Sequence, residues 1–265
     1  MVSLPIPYRD EPRTYEQIAW DDRCLAPIVA SLTKGAVAPS QTAHLDPDLR
    51  PGALRRRPSW RPAFGQIRAA QAHLANQGVG VGDLFLFFGW FRRVEYHSGG
   101  RLQFVRGAPD IHCIFGWLQV GEVLNVGNRL VEYRRSHPWL VDHPHLTGHG
   151  CPENTIYTAG DRLTIAGRDV GLIGGGTFDY FRQGLCLTAR DRSRSIWNLP
   201  SWMGPENGPV LSYHKKPERW SRQENGRATL RTVAVGQEFV MDCADWLPEL
   251  SGWLGNVLLG AQPPA

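Results

Sequence analysis

The sequence has few cysteines, no paired-cysteine motif and no long hydrophobic run. Its five cysteines are scattered over 265 residues without a C-x-x-C pair, which argues against both a disulfide framework and a zinc ribbon. No apolar run approaches the roughly 18–20 residues that a membrane span needs, and no charged-then-apolar signal peptide opens the chain. These absences predict a cytoplasmic protein with reduced thiols and no membrane partner.

Composition is close to that of an average globular protein. Hydrophobic residues make up 42% of the chain and charged residues 20%, so wholesale disorder is excluded and a substantial core is expected. The formal net charge is +4, and several basic residues occur in short clusters, at 55–57, 92–93, 134–135 and 215–216. Clustered arginines suit phosphate contacts, and they equally suit an ordinary solvated surface.

One segment is predicted to be helical, and the segments after it are rich in β-branched and aromatic residues. The run from Gly65 to Gln77 predicts a helix that ends at Gly78, and Thr14 is expected to cap a short helical turn. Two apolar runs, 79–97 and 111–126, predict the central strands, with a hairpin turn at 98–100. Shorter strands are predicted at 155–157, 163–165, 185–188, 210–213 and 229–233, a flexible glycine turn at 174–176, and a short helix near 246–259.

These elements predict one domain of the α+β class, mainly β. Residues 1–60 are rich in proline and are expected to wrap the rest. Residues 61–245 form the predicted core with insertions, and residues 246–265 form a C-terminal tail. No internal repeat is evident in the sequence.

The order of the central motifs resembles the PUA-like superfamily, in particular its EVE and ASCH branches. The chain reads GQIRAAQAHLANQ, then VGDLFLFFGWFRR, then IHCIFGWLQVGEV. The resemblance implies a pseudo-barrel of mixed strands, with a short helix before the first central strand and extended loop-rich additions. It also implies a pocket that holds a nucleobase or a short segment of RNA or DNA.

A wider set of motifs, from Ser3 to about Trp246, is similar to the nucleotide modification associated domain family, third class. The matching segments are SLPIP, HLDPDL, FGQ with AAQAHL, GVGDLFLFFGWFR, IFGWLQVGEV, HPH, LSYH and GQEFV. This resemblance implies a link to modified bases in DNA, and a nucleic-acid partner in which modified DNA is favoured over RNA. Family members carry a basic, glycine-containing segment before SLPIP, which raises the alternative that the native start lies upstream of Met1.

A base pocket needs flat apolar surfaces and a few fixed polar groups. Stacking rings and polar groups of this kind are offered by Trp90, Trp117, Gln66, Gln71 and Glu122, with core packing as the alternative for both tryptophans. The residues expected to contact phosphate are Arg68, Arg92 and Arg93.

Histidines and carboxylates offer a second kind of chemistry. The candidate catalytic residues are His44, Asp46, His143, His145 and His214. The HPH segment has no third ligand at a recognisable spacing nearby, so the sequence predicts no metal site and no cofactor. The proline after Asp46 favours a simple turn as the alternative reading of HLDPDL.

Three functional hypotheses remain open from the sequence. The first is a nucleic-acid or modified-nucleobase binding protein associated with DNA base modification or phage defence. The second is an enzyme of nucleotide or base modification, which requires at least three of the loop histidines and carboxylates to converge. The third is a non-catalytic subunit that uses an exposed aromatic surface for protein contact.

Overall fold

The computed structural model describes residues 1–9, 11–20, 22–147, 150–206, 208–223, 225–233 and 238–260. Within these residues the fold is mainly β, as predicted. The strands are β1 (Ile6–Pro7), β2 (Ala19–Trp20), β3 (Arg23–Cys24), β4 (Ala43–His44), β5 (Ala63–Gln66), β6 (Leu84–Phe91), β7 (Val94–Tyr96), β8 (Leu102–Phe104), β9 (Ile111–Leu124), β10 (Thr155–Ala159), β11 (Arg162–Ile165), β12 (Arg168–Ile173), β13 (Gly175–Thr177), β14 (Ile196–Pro200), β15 (Trp220–Arg222) and β16 (Arg227–Arg231).

The helices are short. The α-helices are α1 (Ala26–Leu32), α2 (Arg68–Asn76), α3 (Leu130–Ser136), α4 (Pro144–Thr147) and α5 (Leu247–Leu254). Single 3₁₀ turns occur at Tyr15–Gln17, Pro51–Ala53, Pro138–Leu140, Gln183–Leu185, Ser201–Met203, Pro217–Arg219 and Ala244–Trp246, and a π turn at Gly255–Leu259. No helix in the described residues combines the length and apolar character that crossing a bilayer requires.

The long strand β9 organises a curled central sheet. Its first half lies between β6 and β13, and its second half pairs with β10, which in turn pairs with β5. All these pairings are antiparallel. Alternate side chains of β6 pack on opposite faces: Leu86 and Phe88 join one hydrophobic cluster, and Phe85 and Phe87 join another. The sheet is therefore covered on both faces, which explains why its strands are apolar almost throughout.

The helix predicted at 65–77 forms, but it begins later. Gly65 and Gln66 belong to β5, where they pair with Ile156 and Thr155 of β10, and α2 begins at Arg68. Pairing with β10 outweighs the helix propensity of this short stretch. The end of the helix is as predicted, because Gly78 follows it with a φ of 74°. The capped turn at Thr14 is also confirmed.

Both central strands, the hairpin β7–β8, and the strands near 155–157, 163–165 and 229–233 are confirmed. Two short strands are wrong: 185–188 contains the end of a 3₁₀ turn and isolated bridges, and 210–213 is irregular backbone whose Ser212 N–H bonds to Val240. The glycine turn is also wrong, because β13 pairs there with β9. A Cβ at Gly174 would lie 2.0 Å from the Gly160 carbonyl oxygen, so close packing explains that glycine.

Residues 1–60 form a small hydrophobic cluster of their own, which the sequence does not predict. Its buried members are Tyr15, Ile18, Trp20, Leu25, Ala26, Val29, Ala43 and Ala53. The division at residues 60 and 245 stays a prediction. Residues 236–237 of the GQEFV motif and residues 261–265 of the predicted tail lie outside the described residues.

Candidate functional site

Four polar side chains from two distant stretches meet beside β5. His44 ends β4, which pairs with β1, and Asp46 follows two residues later. The chain then runs along β5, where Asp48 and Ala63 exchange two backbone hydrogen bonds. His143 and His145 flank the first residue of α4. These four side chains are referred to below as the His–Asp cluster.

Asp46 is the centre of the His–Asp cluster. Its Oδ1 atom accepts a hydrogen bond of 2.9 Å from the Gly65 N–H and lies 3.3 Å from Nε2 of His143. Its Oδ2 atom lies 3.9 Å from Nε2 of His44 and 3.7 Å from Nε2 of His145. The two oxygens therefore have different surroundings: Oδ1 accepts the Gly65 N–H, whereas Oδ2 faces two ring nitrogens beyond hydrogen-bond distance.

The opposite ring nitrogen of each histidine is anchored. Nδ1 of His44 lies 2.6 Å from Oε1 of Glu11, and Nδ1 of His145 lies 2.8 Å from Oδ1 of Asn154. The Asn154 amide is itself oriented, because its Nδ2 donates to the backbone carbonyl of His145. Nδ1 of His143 accepts the backbone N–H of His145 at 3.3 Å. Since oxygen acceptors face Nδ1 of His44 and His145, Nδ1 is the donor in both rings and Nε2 faces Asp46.

Burial and the neighbouring histidines set the protonation states. Burial acts to raise the pKa of Asp46, but contacts with His143, His145 and His44 outweigh it, and the pKa lies below its ordinary value. Burial lowers the pKa of His145, although Asp46 opposes that shift. The cluster therefore combines an ionised carboxylate with a neutral imidazole at neutral pH.

The cluster is reached from solvent on the side of His44. The His44 side chain is about a quarter exposed, at 26%, and the exposed Tyr8 ring lies 5.6 Å from its ring. Residues 45–47 also border an open cleft whose lining includes Ser3, Trp20, Arg50, Phe115 and Thr177. The Arg50 guanidinium stacks over the Trp20 ring at 3.5 Å. An aromatic ring, a cation and hydroxyl groups thus lie beside Asp46.

Three members of the cluster also form a possible metal-binding set. His44, Asp46 and His145 each offer one ligand atom, and these atoms lie within 4.8 Å of one another. The sequence does not predict this set, because ligands are expected close to the HPH segment. His44 and Asp46 instead lie about a hundred positions before His145. The set has the composition of known three-ligand sites for transition metals.

His214 does not join the cluster. It is buried, its Nδ1 donates to the carbonyl of Ser212, and its Nε2 accepts the N–H of Val233. Both ring nitrogens are used by the backbone, and burial lowers the pKa of the ring. The ring therefore links two loops as a neutral imidazole.

The two tryptophans predicted to stack a base lie apart. Trp117 is 7% exposed in the core, its ring packs against Phe178, and its Nε1–H donates to the Ile173 carbonyl. Trp90 is 62% exposed, with the Arg194 guanidinium 3.9 Å above its ring. Trp117 pairs across the sheet with a residue four positions before Trp90, a separation of roughly 13 Å along the strand.

The predicted polar groups of the base pocket are also dispersed. Gln71 is buried and accepts the hydroxyl of Tyr157, Gln66 donates to Glu238, and the exposed Glu122 lies 3.7 Å from His137. Their predicted roles in base recognition stay predictions.

The three predicted phosphate contacts are exposed. Arg68 begins α2 with a φ of 54°, and Arg92 and Arg93 follow β6 directly. Arg92 lies over the Phe104 ring of the neighbouring hairpin. Arg92 and Arg93 follow Trp90 by two and three positions in the chain, and contact of all three arginines with phosphate stays a prediction.

Two residues of the site were not predicted from the sequence. Glu11 lies in a proline-rich stretch without periodicity, and Asn154 lies in a turn before β10. Neither has a neighbour in sequence that signals its contact with a histidine. The pairing of β1 with β4 and the packing of α4 on β5 are needed to bring them there.

Comparison with known proteins gave one match. The model of the family described as nucleotide modification associated domain 3 matches residues 1–242. The searches of curated proteins and of solved structures found no match.

Proposed function

The chain belongs to the nucleotide modification associated domain 3 family, and we propose that it is an enzyme that modifies a nucleotide or a base in DNA at the His–Asp cluster. The observation that carries the proposal is the convergence of His44, Asp46, His143 and His145 around one buried carboxylate. The family description links the chain to nucleotide modification. The cluster supplies reactive groups for it.

The cluster has the features of a reacting centre more than those of a structural contact. Removing a carboxylate from water is costly unless it is fully paired. Asp46 accepts one hydrogen bond, from the Gly65 N–H on Oδ1, and the Nε2 atoms of His44 and His145 lie 3.7–3.9 Å from Oδ2. Such arrangements concentrate at functional sites, where a perturbed carboxylate and imidazoles are held ready for substrate.

The neighbouring cleft is lined by groups of the kinds that contact nucleotides. Phe115 is flat and apolar, as is the Trp20 ring, which lies buried beneath the Arg50 guanidinium, and Arg50 is a planar cation beside the hydroxyl of Thr177. Guanidinium groups bind phosphate oxygens in pairs, and bases stack on aromatic rings. We therefore propose that the base and phosphate lie in this cleft, with the reacting atom directed at the His–Asp cluster.

Turnover of nucleotides tests this proposal. The full chain would be incubated with canonical and modified nucleotides and with short DNA, in buffers with and without divalent cations, and products would be separated by liquid chromatography and weighed by mass spectrometry. We expect a product with a changed mass, and a loss of at least about 100-fold in rate for Asp46→Asn. Asp161→Asn, at an exposed residue paired with Arg61, is the matched control. Equal rates in both variants, or no product from any substrate, would refute the proposal.

A second candidate is binding of single-stranded nucleic acid at Trp90. The ring is exposed beneath Arg194, and Arg92 and Arg93 follow it in the chain. Base stacking on an aromatic ring contributes about 1–3 kcal/mol, so Trp90→Ala is expected to weaken binding about 5- to 150-fold. Fluorescence anisotropy with plain and base-modified oligonucleotides at two salt concentrations measures this. Tyr180→Ala, at another exposed aromatic residue, is the control, and equal affinities of the two variants would exclude this surface.

A further inference from the structure

The three innermost atoms of the His–Asp cluster face one another beyond hydrogen-bond distance. Nε2 of His44 and Nε2 of His145 lie 3.9 and 3.7 Å from Oδ2 of Asp46. These separations exceed hydrogen-bond distance. Two ring nitrogens and one carboxylate oxygen thus converge within 4.8 Å of one another, an arrangement that suits a shared cation.

Each of the three side chains is held from behind by a second polar group. Glu11 holds Nδ1 of His44, and Asn154 holds Nδ1 of His145. The Gly65 N–H holds Oδ1 of Asp46 and leaves Oδ2 directed at the rings. This is the usual pattern around metal-binding histidines, where the second ring nitrogen donates to an oxygen and fixes both tautomer and orientation.

The spacing also suits a shared ion. Two atoms that each lie about 2.1 Å from one ion are separated by about 3.4 Å at the tetrahedral angle. Movements of a few tenths of an ångström would bring the two Asp46–histidine separations to this value, and all three atoms lie within 4.8 Å of one another. His44, which is partly exposed, provides a path for the ion from solvent.

We propose that Nε2 of His44, Oδ2 of Asp46 and Nε2 of His145 bind one divalent first-row transition-metal ion. Two imidazoles and one carboxylate select such ions over Mg²⁺ and Ca²⁺, which prefer all-oxygen sites. Three protein ligands leave coordination positions for water or substrate. The inference rests on the proposed function in that it assigns a cofactor to the same cluster, and it can be tested without any substrate.

The test is direct binding of Co²⁺ and Zn²⁺ to the full chain after treatment with a chelator. We expect one equivalent of Co²⁺ per chain, with visible absorption bands of a four- or five-coordinate ion, and displacement of Co²⁺ by Zn²⁺ in isothermal titration calorimetry. Mg²⁺ is the negative control. The absence of stoichiometric Co²⁺ and Zn²⁺ binding by the folded wild-type chain would overturn the proposal.

Variants identify the ligands. His145→Asn is expected to lose the cobalt bands, whereas His97→Asn, at an exposed histidine of the β7–β8 hairpin, retains them. Glu11→Gln keeps all three ligands and is expected to weaken Co²⁺ binding about 10- to 100-fold, which keeps the test informative if His145→Asn does not fold. Unchanged Co²⁺ affinity in both cluster variants would place the ion elsewhere and refute the assignment.

The two proposals can fail separately. Stoichiometric Co²⁺ binding without nucleotide turnover would support the metal site and contradict the proposed enzyme. Turnover by a chain that binds neither ion would support the enzyme and refute the metal site.

Discussion

Gly65 provides the most direct test of the geometry at the His–Asp cluster. A Cβ added there would lie 2.2 Å from Cδ2 and 2.3 Å from Cγ of His145. Ordinary van der Waals contact begins near 3.4 Å, so the ring has to move by more than about 1 Å. Movement is restricted because Asn154 holds Nδ1 of the ring. Gly65→Ala is therefore expected to displace His145 from Asp46 without removing any polar group.

The magnitude follows from two effects. Overpacking at a filled site costs about 1–3 kcal/mol, which for a chain of this length lowers Tm by roughly 2–10 °C. Displacement of a ring by more than about 1 Å from a reacting or metal-binding position costs on the order of 100-fold in rate. The functional loss is thus expected to exceed what the modest loss of stability explains.

Calorimetry measures the loss of Tm in Gly65→Ala, and the turnover and Co²⁺ assays measure its functional loss. Gly52→Ala is the matched control, because a Cβ at Gly52 meets nothing within 4 Å, and its free energy of unfolding should stay within about 0.5 kcal/mol of the wild type. The reasoning is refuted if Gly65→Ala retains wild-type Tm, turnover and Co²⁺ affinity. That result would mean that His145 does not lie against Gly65.

Three further predictions concern stability. Trp117→Ala should lower the free energy of unfolding in urea by about 3–5 kcal/mol, because the ring is buried; a loss below about 1 kcal/mol would contradict its place in the core. Arg56→Met should lower the free energy of unfolding by about 3–5 kcal/mol, because it removes the two hydrogen bonds to the buried Asp48. Adding Asp48→Asn to this variant should restore part of the lost stability. Burial lowers the pKa of His112 and His214 below 6.5, so the unfolded chain binds more protons and stability should fall between pH 7.5 and 5.5. Urea unfolding across this range checks the sign, and a smaller fall is expected in His214→Asn.

Apolar patterning was sufficient to predict the sheet but not its connections. The runs that became β6 and β9 are apolar on both faces because both faces are covered, and such runs are recognisable from composition. The dual pairing of β9, with β6 and β13 in one half and β10 in the other, depends on contacts distant in sequence. Gly175 and Gly176 illustrate the limit: glycine signals a turn locally, yet here it allows a buried strand to pass close to its neighbours.

The sequence predicts the members of the candidate site by residue type alone. His44, Asp46, His143 and His145 were selected because histidine and aspartate carry chemistry, and the structure brings these four together. His214 has the same residue type and a structural position instead. Spacing along the chain could not separate them, because the partners that decide each role come from other elements.

The contrast between His214 and His145 supports a functional reading of the His–Asp cluster. Both rings are buried. His214 uses both nitrogens in backbone hydrogen bonds and so stabilises two loops. His145 has an oriented acceptor on Nδ1, whereas its Nε2 lies 3.7 Å from Asp46. Nε2 of His145 makes no hydrogen bond to Asp46 at this distance, so it contributes little to the stability of the fold. The proposed enzyme function and the proposed ion site both account for this arrangement, because each gives Nε2 of His145 a group to bind.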